Sequence, residues 1–224
     1  MSKGNESTTY IDLKGLRDEE KAHIIAGLGE AVRNGALIIY PTDTVYGIGA
    51  TLNSEAALES IYAAKERNHD MPLILLVDSV EAVAKVAKVE AHAALFQALT
   101  RKFWPGALTL ILEKKDNVPD LITAGGRTVG VRMPDSPVAL AVIRAAGGIF
   151  PTTSANISGT ETPAAFEELS ETIKNRARIV IDDGKCPLSL ASTIADISAG
   201  DVRILRQGSI SAEEINESIA KQER

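Results

Sequence analysis

The sequence predicts an α/β protein: a single domain with one twisted mixed parallel/antiparallel sheet and helices on its faces. Three observations predict it. Apolar runs of strand length alternate with amphipathic runs of helical period. Several links between strands are too short for a crossover helix, so antiparallel pairs must accompany parallel ones. No repeat, low-complexity tract or Pro/Ser-rich linker divides the 224 residues. We therefore expect a flexible polar N-terminus over 1–12 and one domain over 13–224.

The elements follow in order. Residues 18–34 predict an amphipathic helix, with Ile24, Ile25, Leu28 and Val32 at helical spacing and Gly35 as its stop. Residues 36–40 are a buried strand, ended or edged by Pro41, which has no N–H to donate. Residues 54–65 predict a helix with Ser54 as N-cap and Glu55 in its first turn. A strand starts at Pro72 and runs to Val77. Residues 79–87 and 89–103 predict two more helices, then strands at 108–112 and 128–132. A helix over 137–146 leads into Gly148-Ile149-Phe150. Residues 163–176 read as helix and 178–182 as strand. Residues 192–196 and 202–205 pair as a hairpin, and a polar helix begins near Ser211.

Composition excludes several function classes. The net charge of −6 argues against a surface coated by nucleic acid, though a local basic cleft remains compatible. Cys186 is the only cysteine, so no intrachain disulfide forms, which fits a reducing compartment. With three scattered histidines (His23, His69, His92) it makes no catalytic constellation. The polar start, Met1–Thr9, lacks the apolar core of a signal peptide. No run approaches the ~20 apolar residues of a membrane span. The expected location is cytoplasmic, with no membrane partner. Metal spacings of the CxxC or HExxH kind are absent, so no metal held directly by protein ligands is expected.

Five polar clusters stand where strands or helices end. Tyr40-Pro41-Thr42-Asp43-Thr44-Val45-Tyr46-Gly47 holds more distinct polar groups than a reversal of direction needs; its plain alternative is a βα loop whose threonines cap a helix. Lys65-Glu66-Arg67 places two cations at a helix exit, where the C-terminal dipole also favours them. Arg132 ends the Val129–Arg132 strand over a crevice of the kind α/β sheets use for ligands, or pairs with Asp135 or Asp120. Ser154 and Asn156 point the same way on an extended backbone, or form a turn. Ser192-Thr193 and Arg206 complete the set. No GxxxxGK[ST] loop exists and Gly125-Gly126 is no dinucleotide fingerprint, so any bound nucleotide needs cations from these clusters.

Together, Pro41–Gly47, Lys65-x-Arg67, Phe103-Trp104-Pro105-Gly106, Val131-Arg132-Met133-Pro134, Ser154-Ala-Asn156, Ser192-Thr193 and Arg206 resemble the YrdC-like family, the threonylcarbamoyl-AMP synthases, in its short form. The resemblance runs from about residue 20 to 210. It implies a sheet around a central basic cavity, and a reaction that joins L-threonine, bicarbonate and ATP into threonylcarbamoyl-AMP and pyrophosphate. The product serves N6-threonylcarbamoylation of adenosine 37 in tRNA (t6A37), completed by a separate threonylcarbamoyl transferase complex. An RNA or tRNA contact is a further partner it admits. Residue by residue, it places Thr44, Arg132, Ser154 and Ser192 on L-threonine. It places Lys65, Arg67, Thr128, Asn156 and Arg206 on ATP. Lys65, Arg67, Ser154 and Asn156 match its catalytic set. Mg arrives with ATP, and no tightly bound organic cofactor is implied. Thr42 and Asp43 are left to hold the turn.

The chain departs from the family pattern at Asn68, where proline is usual, and at Met71, where lysine or asparagine is common. Thr162-Pro163-Ala164 replaces a more typical Ser-Pro-Thr. The longer family version has an extra C-terminal domain, whose contacts are not expected here. Two alternatives stay open: a YciO-like relative of unknown substrate, and a non-catalytic RNA-binding module that uses the same cavity. A carbamoyl-adenylate role of the hydrogenase-maturation kind is set aside, because no acylphosphatase or zinc-finger module accompanies the domain.

Overall fold

The computed structural model describes residues 7–220. Its strands are β1 (Thr9–Asp12), β2 (Ile38–Pro41), β3 (Tyr46–Gly49), β4 (Ile74–Val77), β5 (Leu108–Glu113), β6 (Thr128–Arg132), β7 (Ile149–Ser154), β8 (Ile179–Asp182), β9 (Thr193–Asp196) and β10 (Arg203–Arg206). Its helices are α1 (Asp18–Ala26), α2 (Gly29–Arg33), α3 (Glu55–Lys65), α4 (Ala93–Phe103), α5 (Asp120–Thr123), α6 (Pro137–Ala145), α7 (Glu171–Arg176) and α8 (Ala212–Ala220). All the strands join one sheet in the order β1-β8-β2-β3-β7-β4-β6-β5-β9-β10. The pairs β1/β8, β2/β8, β4/β6 and β5/β9 are parallel, and the others antiparallel. The mixed sheet expected from the short links is therefore present, with β9 and β10 as the terminal hairpin.

Strand alternation sorts the sheet into two faces. Ile39, Ile48, Leu75, Leu110, Val131 and Val180 point to the first, which packs against α3, α4, α7 and α8 through residues such as Leu58, Ile61, Leu99, Ile173 and Ile215. Ile38, Tyr40, Leu76, Phe150 and Ile181 point to the second, against Ile25 of α1, Val32 of α2 and Val142 of α6. Strands β5, β6 and β9 add no residue to this second core. That half of the second face stays uncovered by helix, and the site lies there.

The structure corrects several expectations. Of the flexible start expected over 1–12, residues 1–6 lie outside the described residues, and Thr9–Asp12 is an edge strand. Its parallel ladder with β8 satisfies the backbone, and Thr9 N donates to Arg178 O at 2.9 Å. The 18–34 helix breaks at a Gly27-Leu28 turn into α1 and α2. The segments 79–87 and 89–103 begin as short 3-10 turns, and only α4 is a full helix. Within 163–176, Glu168 binds the Ala164 and Ala165 amides, so α7 starts only after its Ser170 cap.

Strand β3 was hidden in the polar loop, because Gly47 and Gly49 read as turn residues. Gly49 is required by close approach: a Cβ there would lie 2.4 Å from Pro151 O and 2.7 Å from the Phe150 ring. We expect Gly49→Ala to cost about 1–3 kcal/mol in urea unfolding, the scale of forced overpacking. An unchanged midpoint would show that β7 yields freely.

Candidate active site

A cavity of about 500 Å³ opens over the uncovered half of the second face. Its floor is a consequence of register. Gly47 opposes Ser154, Thr152 and Gly130 flank Ile74, Arg132 opposes Leu76, Ile111 opposes Gly130, and Thr109 opposes Ile194. All of these line the cavity. Gly130 keeps the floor low, since a Cβ there would meet Ile74 at 3.0 Å and Ile111 at 3.2 Å. The charged residues of the wall are Arg67, Arg132, Arg206 and Asp70.

Arg132 is 4% exposed and held on three sides. Its Nε donates to Gly106 O at 2.8 Å, Nη1 donates to Thr44 Oγ1 at 2.8 Å, and Nη2 forms a close ion pair with Asp43. Three of its five N–H groups are engaged, leaving one on each terminal nitrogen. The Phe103–Gly106 segment supplies the carbonyl, and is pinned by Trp104 Nε1 donating to Leu108 O at 2.7 Å. Asp43, not Asp135 or Asp120, is thus the partner of Arg132; Asp120 pairs with Lys114. Burial pushes the Asp43 carboxyl up from its ordinary value, against the pull of Arg132. Its Oδ2 is buried without a hydrogen-bond partner. Thr42 does hold the turn, accepting from the Thr44 and Val45 amides.

The remaining expected residues form two further groups. Lys65 Nζ, at the end of α3, donates to Ser154 O, Asn156 O and Asn156 Oδ1, and Ser154 Oγ donates to the same Oδ1. Three N–H meet three acceptors, so Lys65 and Asn156 brace the Ser154 strand exit from behind. Arg67 Nε and Nη2 donate to Met71 O and Pro72 O, which fixes the guanidinium on the cavity rim. Arg206 Nε and Nη2 donate to Ser192 O at 3.2 and 2.9 Å. The wall therefore brings together Thr44, Arg67, Thr128, Arg132, Ser154, Ser192 and Arg206, and does not include Lys65 or Asn156.

Residues 30–208 match the family model Sua5_yciO_yrdC, described as "Telomere recombination". The chain belongs to the Sua5/YciO/YrdC family. It is 36% identical over 214 residues to the threonylcarbamoyl-AMP synthase of Pyrococcus abyssi (strain GE5 / Orsay), covering 96% of this chain and 62% of that one. The crystal structure of P. abyssi Sua5 complexed with L-threonine superimposes with a TM-score of 0.85 at 37% identity, over 95% of this chain and 61% of that one. E. coli YciO shares the fold, with a TM-score of 0.79 at 24% identity over 94% and 99% of the two chains. This chain thus spans about three fifths of the length of the P. abyssi protein.

Within this Sua5/YciO/YrdC domain, sequence reasoning missed Thr109 and the Asp43 carboxylate. The signal for Thr109 was a lone hydroxyl in Leu108-Thr109-Leu110-Ile111-Leu112, a strand otherwise apolar on both faces. Asp43 left no such signal, because its partner lies 89 residues away. The Cys186 thiol is buried and pushed up to about 11, chiefly by burial, so it stays protonated at neutral pH. Among the described residues no three His, Cys, Asp or Glu side chains come together as a metal site, and no helix is long and apolar enough to cross a membrane.

Burial, then the charge of Arg67, pushes the Lys65 ammonium down to about 7 from its ordinary 10.5. Between those values the unfolded chain binds the proton and the folded one does not. Stability therefore rises with pH across that window. In urea unfolding, wild type should gain on Lys65→Met between neutral pH and about two units higher; parallel curves would remove the shifted titration.

Proposed function

We propose that the chain is an L-threonylcarbamoyladenylate synthase, a nucleotidyltransferase that makes threonylcarbamoyl-AMP and pyrophosphate from L-threonine, bicarbonate and ATP for t6A37 modification of tRNA. The observation that carries this reading is Arg132. It is buried on the cavity floor and locked by Asp43, Thr44 and Gly106, with an N–H left on each terminal nitrogen. A planar fork fixed in this way suits a carboxylate.

In this reading Arg132 binds the L-threonine carboxylate, while Thr44 and Ser192 contact the substrate's polar groups and Ser154 borders them. The amine attacks the bicarbonate carbon, a C–N bond forms and water leaves. A carbamate oxygen then attacks the α-phosphorus of ATP, and the bond to pyrophosphate breaks with its electron pair on the leaving group. Each step brings anions together, so fixed cations lower the barrier. Arg67 and Arg206 supply them on the wall beside Thr128, where no phosphate loop exists. Mg enters with ATP as substrate. Lys65 and Asn156 act through Ser154, which they hold in place. The transferase complex, a tRNA contact and a cytoplasmic location belong to the same proposal.

Pyrophosphate release with ATP, Mg and bicarbonate, with and without L-threonine, tests it. Threonine-dependent release is expected. No release would overturn it, and salt-sensitive RNA binding without release would favour an RNA-binding module. L-Serine in place of threonine should react poorly if the wall reads the substrate's methyl and hydroxyl together.

A further inference from the structure

We propose that Thr109 is a positioning residue that makes Ser192 a hydrogen-bond donor toward an oxygen of the amino-acid substrate; this rests on the reading that the cavity holds L-threonine. Thr109 is 0% exposed on the second face of β5. Its Oγ1 lies 2.8 Å from Ser192 Oγ, and it has no other hydrogen-bond partner among the described residues. A hydroxyl carries one proton and two acceptor sites. Either oxygen could donate across this contact; with Thr109 fully buried and without another acceptor among the described residues, the arrangement that leaves no buried donor unpaired sends the Thr109 proton to Ser192 Oγ.

Ser192 Oγ also receives Arg206 Nη2 at 3.3 Å. Both acceptor sites of Ser192 are then filled, and its own proton has to leave in the remaining direction, into the cavity that Ser192 lines. The assembly is held in place by backbone. Thr193 N donates to Ala107 O at 3.0 Å beside Thr109, and Gly208 packs so tightly that a Cβ would lie 2.0 Å from Ala191 O. A Ser192 locked as donor recognises a carboxylate or hydroxyl oxygen and discriminates against an ammonium, which offers only protons. The hydroxyl or carboxylate oxygen of L-threonine is therefore the group it reads, and the substrate amine must find its acceptor elsewhere.

The test compares Thr109→Val, which keeps the shape and removes the proton, with Thr109→Ser, which restores it. Calorimetric L-threonine binding and steady-state pyrophosphate release are both measured. Thr109→Val should raise the threonine Kd and KM by roughly tenfold, the loss of one directed hydrogen bond, with a much smaller fall in kcat and no change in the KM for ATP. Thr109→Ser should return both values toward wild type. In a Ser192→Ala background, Thr109→Val should add nothing. Wild-type threonine affinity in Thr109→Val, or an equal loss with and without Ser192, would overturn the proposal while leaving the synthase reading intact. Failure of the wild-type protein to bind L-threonine would overturn both.

Discussion

Arg132→Met is expected to lower threonine-dependent pyrophosphate release by at least about 10³-fold, because it removes a fixed charge-assisted fork from the centre of the site. It should also destabilise the fold. Asp43 is 4% exposed, and its Oδ2 already lacks a partner, so losing Arg132 strands a buried carboxylate. Breaking a buried ion pair from one side costs about 3–5 kcal/mol, whereas replacing both partners by apolar groups is often neutral or better. The double variant Asp43→Leu/Arg132→Met separates the two effects. Its urea midpoint should recover most of the loss while its activity stays at the single-variant level. Recovered activity in the double variant would remove Arg132 from substrate binding. An unchanged midpoint in Arg132→Met would show that the pair is not energetically coupled.

Arg67→Ala is expected to reduce turnover by roughly 10²–10³-fold, the scale for losing one preorganised charge stabiliser. Its stability cost should be small by comparison, since Arg67 donates only to the carbonyls of Met71 and Pro72 on the cavity rim. The loss should appear in the KM for ATP and in kcat, with little change in threonine affinity, if the guanidinium faces the triphosphate. Near-normal turnover in a folded variant would exclude Arg67 from the chemistry. The same measurement bears on Met71. Its carbonyl holds Arg67 and also accepts from the Tyr62 hydroxyl at 3.1 Å, so the departure from the family's lysine or asparagine leaves this backbone role untouched.

Much of this architecture could be read one residue at a time. Ser54, expected as an N-cap, does cap its helix, accepting the Ala57 amide. The Val129–Arg132 strand, the hairpin strand expected over 202–205 and found at Arg203–Arg206, and the cations at 65, 67, 132 and 206 all follow from local composition. Local reading failed at the edge strand Thr9–Asp12, at the break in the 18–34 helix and, with most effect on the site, at the loop over 40–49. Its glycines look like turn residues until Phe150 and Pro151 stand beside them, and its carboxylate looks like a turn-former until Arg132 arrives from 89 residues away.

The sequence by itself was enough for the class of the fold, most of its central strands and helices, and the set of side chains able to bind an anionic substrate. Periodicity, caps and residue type are local properties, and a linear reading recovers them. The tertiary structure alone decided which of those side chains meet. Register across β3-β7-β4-β6-β5-β9 put alternate residues of six strands on one floor, and helix packing left that floor open. It turned Lys65 and Asn156 behind the wall, set Asp43 against Arg132, and paired Thr109 with Ser192. The physical reason is that a side chain's partner in a sheet is chosen by strand order and a two-residue alternation, and strand order is settled by burial of the whole chain.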